Sequence, residues 1–238
     1  MKHLLFFLAI LVSTLSVAMT PGEQLEKELS EKAGQSGSKA TPQHEIMRKA
    51  IEAISGLPKN TLKKGQKLPG FTLPNAVNKK VNSADLLKKG PLVVTFYRGG
   101  WCPYCNIQLH AFQRVLPQIK GLGATLVAIS PETPDNSLST AKKNNLEFIV
   151  LSDYDNRYAR KLGLVYELPN DLQDVYKKFG IDLPKNNGLN KWELPLSATY
   201  VVAQNGSVEF AFAEADYKKR ANLDEILETL ARLKKSAG

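Results

Sequence analysis

Two uninterrupted apolar runs constrain this chain most, "PLVVTFY" from Pro91 to Tyr97 and "ATLVAIS" from Ala124 to Ser130. A strand with one wet face alternates apolar and polar residues. These two do not, so each belongs inside a sheet that is covered on both sides. Between them a helix is expected from Pro103, with Cys105, Leu109, Phe112, Leu116 and Ile119 at three- and four-residue steps on one face. A second helix, from about Pro134 to Asn144, leads into the apolar "EFIVLSD". Strands separated by helices of this length pair in parallel through crossovers. Near the end, "SATYVVAQNGSVEFAFAE" reads as a hairpin turning at Asn205-Gly206, and "NLDEILETLARLKK" as a closing amphipathic helix. The expected fold is therefore α/β: a β-α-β unit, an α/β connection, then β-β-α, all around one central mixed sheet flanked by helices.

Upstream of about Leu62 the texture differs. "MKHLLFFLAILVSTLSVA" has a basic start at Lys2, an apolar run from Leu4 to Val12, and small residues at Ser16 and Ala18. This pattern predicts a secretory signal over 1–18, cleaved after about Ala18, with the protein exported to a periplasm or secreted and not inserted in a membrane afterwards. Residues 19–61 read as a loosely docked helical arm. It has a charged helix from about Pro21 to Ala33, a Gly/Ser linker over 34–39, and a helix with Thr41 as N-cap and Pro42 at its first position. The remaining domain, 62–238, begins with a short hairpin (Phe71–Leu73, then Val81) and a short helix capped by Asn82 or Ser83.

The formal charge is +9, or +8 once Lys2 leaves with the signal. The lysines are scattered in pairs such as Lys79-Lys80 and Lys142-Lys143 among acids, so a solvated basic surface is expected and no nucleic-acid partner.

The chain's two cysteines stand three residues apart in "YRGGWCPYCN", Tyr97 to Asn106. Gly99 and Gly100 make a strand-to-helix turn, and Pro103 suits the first helical position, which makes Cys102 the N-cap. There its sulfur lies near unpaired N–H groups and the positive end of the helix, which favours the thiolate. Cys105 follows one turn later on the same face, at a spacing that permits a disulfide. As a staple such a bridge would be poor. Closing a four-residue loop stabilises by roughly 2 kcal/mol, against about 3 to 5 for loops of 15 to 100 residues. A metal site would need one or two further ligands. His110 is eight residues beyond Cys102, about 12 Å along a helix axis, which is too far to activate it directly. Redox chemistry is the expectation, with no cofactor or metal. Arg98 is the nearest charge, either an activator or a solvent-facing strand end.

"GQKLPGFTLPNA", "PLVVTFYRGGWCPYCNIQL", "LVAISPETPD" and "FIVLSD" resemble the peroxiredoxin-like proteins of the alkyl hydroperoxide reductase/thiol-specific antioxidant superfamily, in the branch where C-x-x-C replaces T-x-x-C. The resemblance covers about Leu62 to Leu233 and implies a thioredoxin-like fold with an extra N-terminal hairpin. Aligned as a peroxiredoxin, Cys105 takes the peroxidatic position. Aligned as a thioredoxin, Cys102 is the nucleophile and Cys105 resolves. The helix-end argument favours Cys102, expected to be the more exposed sulfur. Arg98 stands where a peroxiredoxin has proline. Ser197 stands where it has its second catalytic arginine, and Ala198 where a thioredoxin has a proline before the strand threonine, here Thr199. The candidate site is Cys102, Cys105, Arg98 and Thr199.

Three functions follow from this reading. The first is a thiol peroxidase that reduces hydroperoxides through the cysteine pair and is recycled by a thioredoxin-like or other dithiol. The second is an exported dithiol–disulfide oxidoreductase, and the third a binding module with an inert bridge.

Overall fold

The computed structural model describes residues 18–35 and 41–237. All but the last residue of the expected signal, and most of the expected linker, lie outside them. In chain order the elements begin with helices α1 (Pro21–Gln35) and α2 (Pro42–Ala53), then a hairpin of β1 (Thr72–Pro74) and β2 (Lys80–Asn82). Helix α3 (Ser83–Leu87) leads to β3 (Leu92–Phe96), α4 (Pro103–Gly121), β4 (Thr125–Ser130), α5 (Pro134–Lys143) and β5 (Ile149–Ser152). Next come α6 (Arg157–Lys161), β6 (Val165–Glu167), α7 (Asn170–Lys178), α8 (Leu183–Asn187) and β7 (Glu193–Pro195). Strands β8 (Ser197–Val202) and β9 (Val208–Glu214) and helix α9 (Leu223–Ala237) complete the chain.

The central sheet runs β5-β4-β3-β8-β9. Strands β3, β4 and β5 pair in parallel, and β8 and β9 are antiparallel neighbours. Strand β3 is buried at every position, as its unbroken apolar run requires. On one face α4 lays Leu109, Phe112, Leu116 and Ile119 against the sheet, joined by Leu223, Ile226 and Leu230 of α9. On the other, Leu92, Val94 and Phe96 pack with Phe71, Tyr158 and Leu162. The hairpin and helix caps follow local chemistry. Thr41 caps α2 by accepting from the His44 amide, and Asn82 caps α3 by accepting from the Ala84 amide.

One expectation needs correction. Helix α1 is docked firmly, and it runs two residues past Ala33 into the expected linker. Leu25 is buried in the main core, and Glu28 pairs with Arg114 of α4 at 3.0 Å. A Cβ on Gly22 would lie 2.5 Å from the side chains of Asn222 and Asp224, so only glycine permits this approach to α9. The α/β connection expected between β5 and β8 is present. It contains α6, α7, α8 and the β6–β7 ribbon, and its own cluster of Leu168, Leu172, Tyr176, Leu183 and Leu194 receives Ile46, Met47 and Ala50 of α2.

Candidate active site

The site lies where β3 ends and α4 begins. Gly99 turns the chain with φ +149°, a conformation that side chains disfavour, and a Cβ there would meet the Trp101 indole nitrogen at 2.3 Å. At Gly100 a Cβ would meet Thr140 Oγ1 at 2.1 Å, because α5 closes on the turn. The carboxylate of Glu132, just after β4, accepts from the Gly100 amide at 3.0 Å and from the Thr140 hydroxyl at 3.3 Å. Cys102 is the N-cap of α4, and Pro103 occupies the first turn.

Both thiols are free and fully buried. The expectation that Cys102 is the more exposed sulfur therefore fails: side chains from distant segments cover the helix mouth. Arg98 donates from Nη2 to Cys102 Sγ at 3.3 Å, and from Nη1 to the Tyr176 hydroxyl at 2.8 Å. Its guanidinium lies 4.2 Å from the Tyr217 ring centroid and 5.3 Å from that of Trp101. Far from facing solvent, Arg98 is 4 % exposed. A second guanidinium comes from the loop between β9 and α9, where Arg220 donates from Nη2 to Cys105 Sγ at 3.4 Å. Carbonyl oxygens of Tyr217 and Lys219 accept from its Nη1.

Burial alone pushes both thiols up. At Cys102 the hydrogen bond from the Cys105 thiol, together with the charges of Arg98 and Arg220, reverses this and holds it well below the usual thiol range. At Cys105 burial and the adjoining Cys102 thiolate push the same way and keep it protonated. The two shifts run in opposite directions and make the thiol at the helix N-cap the more acidic of the pair. Glu132 is pushed up to about 7, first by burial and further by the Cys102 charge, against the pull of its Gly100 and Thr140 bonds.

Of the four residues expected here, the structure brings together Cys102, Cys105 and Arg98. Thr199 lies on β8, paired with Thr95, and its hydroxyl lies 3.0 Å from the Thr95 hydroxyl, which also accepts from Gln108 Nε2 of α4 at 3.4 Å. Neither sulfur is among its hydrogen-bond partners. His110 is turned away, with Nε2 2.6 Å from Asn144 Oδ1. Arg220 was not legible in the sequence. It stands in "DYKKRAN" with no local mark of a site, and only folding brings it to a cysteine 115 residues away. The register gives one structural reason for its place: Ser197, where the resemblance expects an arginine, pairs with Glu214 at the end of β9, and the loop that follows carries Arg220.

A pocket of about 280 Å³ opens beside the pair, with Arg98, Trp101, Pro103, Tyr104 and Tyr217 in its inner wall. Arg98 therefore touches Cys102 with one nitrogen and forms part of the pocket wall.

Residues 64–211 match the AhpC/TSA family model. The chain is 32% identical over 171 residues to peroxiredoxin Q, chloroplastic, of Sedum lineare, covering 72% of this chain and 79% of that one. It is 32% identical over 179 residues to the protein of the same name from Populus jackii, covering 74% and 73%. Among solved structures, peroxidoxin BcpB of Mycobacterium tuberculosis is similar with a TM-score of 0.58 at 21% identity, covering 72% of this chain and 97% of that one, which supports the fold.

Proposed function

Because the chain belongs to the AhpC/TSA family, we propose that it is a thiol peroxidase whose attacking group is the Cys102 thiolate and whose resolving group is Cys105. One observation supports the assignment of roles: Cys102 caps the N-terminus of α4 with the Arg98 guanidinium on its sulfur, whereas Cys105 lies inside the helix.

Each step follows from that arrangement. The Cys102 thiolate attacks the terminal oxygen of a hydroperoxide. An S–O bond forms as O–O breaks, and two electrons pass from sulfur to the peroxide. Arg98, within reach of the reacting sulfur, stabilises the charge that moves onto the leaving oxygen. The alkoxide takes the proton of the Cys105 thiol and leaves as alcohol. Cys105, now a thiolate beside Arg220, attacks the sulfenic sulfur and expels hydroxide, which carries off the starting thiolate's negative charge and is neutralised by a proton from the bulk buffer. An external dithiol reduces the resulting disulfide. Stopped-flow consumption of hydroperoxide with a dithiol present tests the reading; rates no better than those of free cysteine overturn it.

The oxidoreductase alternative has less support. The family match and the curated relatives are those of peroxiredoxins, and they favour hydroperoxide over a protein disulfide as the oxidant. We also read residues 1–18 as an export signal, 19–61 as an arm and 62–238 as the catalytic domain; the N-terminal sequence of the mature protein checks the first boundary.

A further inference from the structure

The peptide unit that joins Gly99 to Gly100 is held at both ends. Its N–H donates to Glu132 Oε1 at 3.0 Å, and its carbonyl, Gly99 O, accepts from the Cys102 amide at 3.1 Å. The next carbonyl along, Gly100 O, accepts from Asn106 Nδ2 at 2.9 Å. Both side chains are tied in turn to the end of α5. The Thr140 hydroxyl donates to Glu132 Oε2, while Asn144 Nδ2 joins the Thr140 carbonyl, at 2.9 Å, to Asn106 Oδ1, at 3.4 Å. Glu132 is buried, and a buried carboxyl costs stability that a leucine there would not. What the carboxyl does at that cost is hold the turn.

A peptide between two glycines meets little steric resistance to flipping. Because the unit is planar, turning its N–H away from Glu132 also turns its carbonyl away from the Cys102 amide. Cys102 would then leave the helix mouth and the Arg98 guanidinium that lies on its sulfur. We propose that Glu132 and Asn106 are positioning residues of the peroxidase, a clamp on the Gly99-Gly100 backbone that keeps Cys102 aimed at the α4 N-terminus and Arg98. The inference rests on the peroxidase reading with Cys102 as the attacking sulfur. Each residue acts through the backbone. The titratable groups facing Glu132 are Tyr97, just after β3, and Cys102 at the start of α4, and α5 presents the uncharged Thr140. At position 132 the clamp needs an acceptor and not a charge. Glutamine keeps the acceptor and leucine keeps only the bulk. Both are neutral, so the difference between them isolates the hydrogen bond from the field of a carboxylate near a thiolate.

The test places Glu132→Gln, Glu132→Leu and Asn106→Ala in the Cys105→Ser background, where one thiol reports. It reads the single-turnover rate with hydrogen peroxide and the Cys102 alkylation rate against pH. Loss of one hydrogen bond shifts an equilibrium by about threefold to tenfold. Glu132→Leu should therefore react about tenfold more slowly than Glu132→Gln, with an alkylation midpoint about one pH unit higher. Asn106→Ala, which frees the neighbouring carbonyl, should slow the turnover about threefold. A partly unfolded preparation lowers the amplitude of the turnover and leaves its rate unchanged. Equal rates and midpoints for Glu132→Gln and Glu132→Leu overturn the proposal while leaving the peroxidase standing. Should Glu132→Leu fail to fold, an Asn106→Ala rate equal to that of the background overturns it instead. If the background protein is alkylated at Cys102 but consumes no hydroperoxide, the peroxidase reading falls and the proposal with it.

Discussion

The turn over residues 97–105 and the loop over 215–222 do the same job by opposite means. Each brings one guanidinium to one buried sulfur, Arg98 to Cys102 and Arg220 to Cys105. In the turn, arginine and cysteine are four residues apart, and the Gly99-Gly100 bend sets their geometry. In the loop the partner is 115 residues away, and the whole sheet must form before the contact exists. The turn also has the helix end to help hold a charge on its sulfur. The loop has no such aid, and it faces the sulfur that stays protonated. The two guanidinium groups should therefore be unequal, with the turn dominating the first chemical step and the loop the second.

The largest effect tests that division directly. Cys102→Ser should lower peroxide consumption at least about 10³-fold, as loss of a nucleophile does. Cys105→Ser should still react once, leaving a sulfenic acid that dimedone traps, and should then stall. If instead Cys105→Ser abolishes the first turnover and Cys102→Ser retains it, the roles of turn and loop are reversed.

Next in size is a pH effect at the back of the turn. Glu132 titrates near 7 in the folded protein against 4.5 ordinarily, a difference worth about 3 kcal/mol. The folded state binds this proton more tightly. Its contribution to stability is therefore full below about pH 4.5 and is lost as pH rises to about 7. Cys102 acts with the opposite sign, since its folded pKa is lowered and its contribution is lost as pH falls through that value. The difference between wild type and Glu132→Gln isolates the carboxyl. The variant should gain up to about 3 kcal/mol relative to wild type between pH 4.5 and 7.5 in urea unfolding. A difference that does not change with pH would show that Glu132 is ionised in the folded turn.

How much of this was legible follows the same division between local and distant. The strand β3, the helix start at Pro103 and the capped thiol are consequences of neighbouring residues, so the sequence pattern predicts them. So is the Asn205-Gly206 hairpin, where Gly206 has φ +84°. Arg220 and the docking of α1 depend on residues that meet only in three dimensions, such as Gly22 against Asp224. Local reasoning also misjudged Cys102. An N-cap sulfur is exposed on an isolated helix, but here Arg98 lies on it, beneath the ring of Tyr217.

Arginine variants come third. Arg98→Met should raise the Cys102 pKa and slow the first step about 10- to 100-fold, because a charge-assisted bond to a buried thiolate is lost. Arg220→Met should slow that step less, about threefold to tenfold, and delay disulfide formation more. Alkylation rate against pH reads the thiolate, and tryptophan fluorescence during a single turnover reads the two steps. Equal effects of both variants on the first step would erase the distinction between turn and loop.

The smallest effect joins the two regions. Tyr217 belongs to the loop, yet its ring lies 4.2 Å from the Arg98 guanidinium and edge-on to Tyr104 between the cysteines, with centroids 5.6 Å apart. A buried cation over such a ring gains about 1 to 2 kcal/mol, so Tyr217→Leu should slow the first step about fivefold. If the ring works by holding Arg98 on the sulfur, the loss should vanish when Arg98 is already Met, since there is no cation left to hold. The double variant should then react at the rate of Arg98→Met alone. Multiplying losses would mean that the loop acts on Cys102 by a route that bypasses Arg98, such as packing against Tyr104.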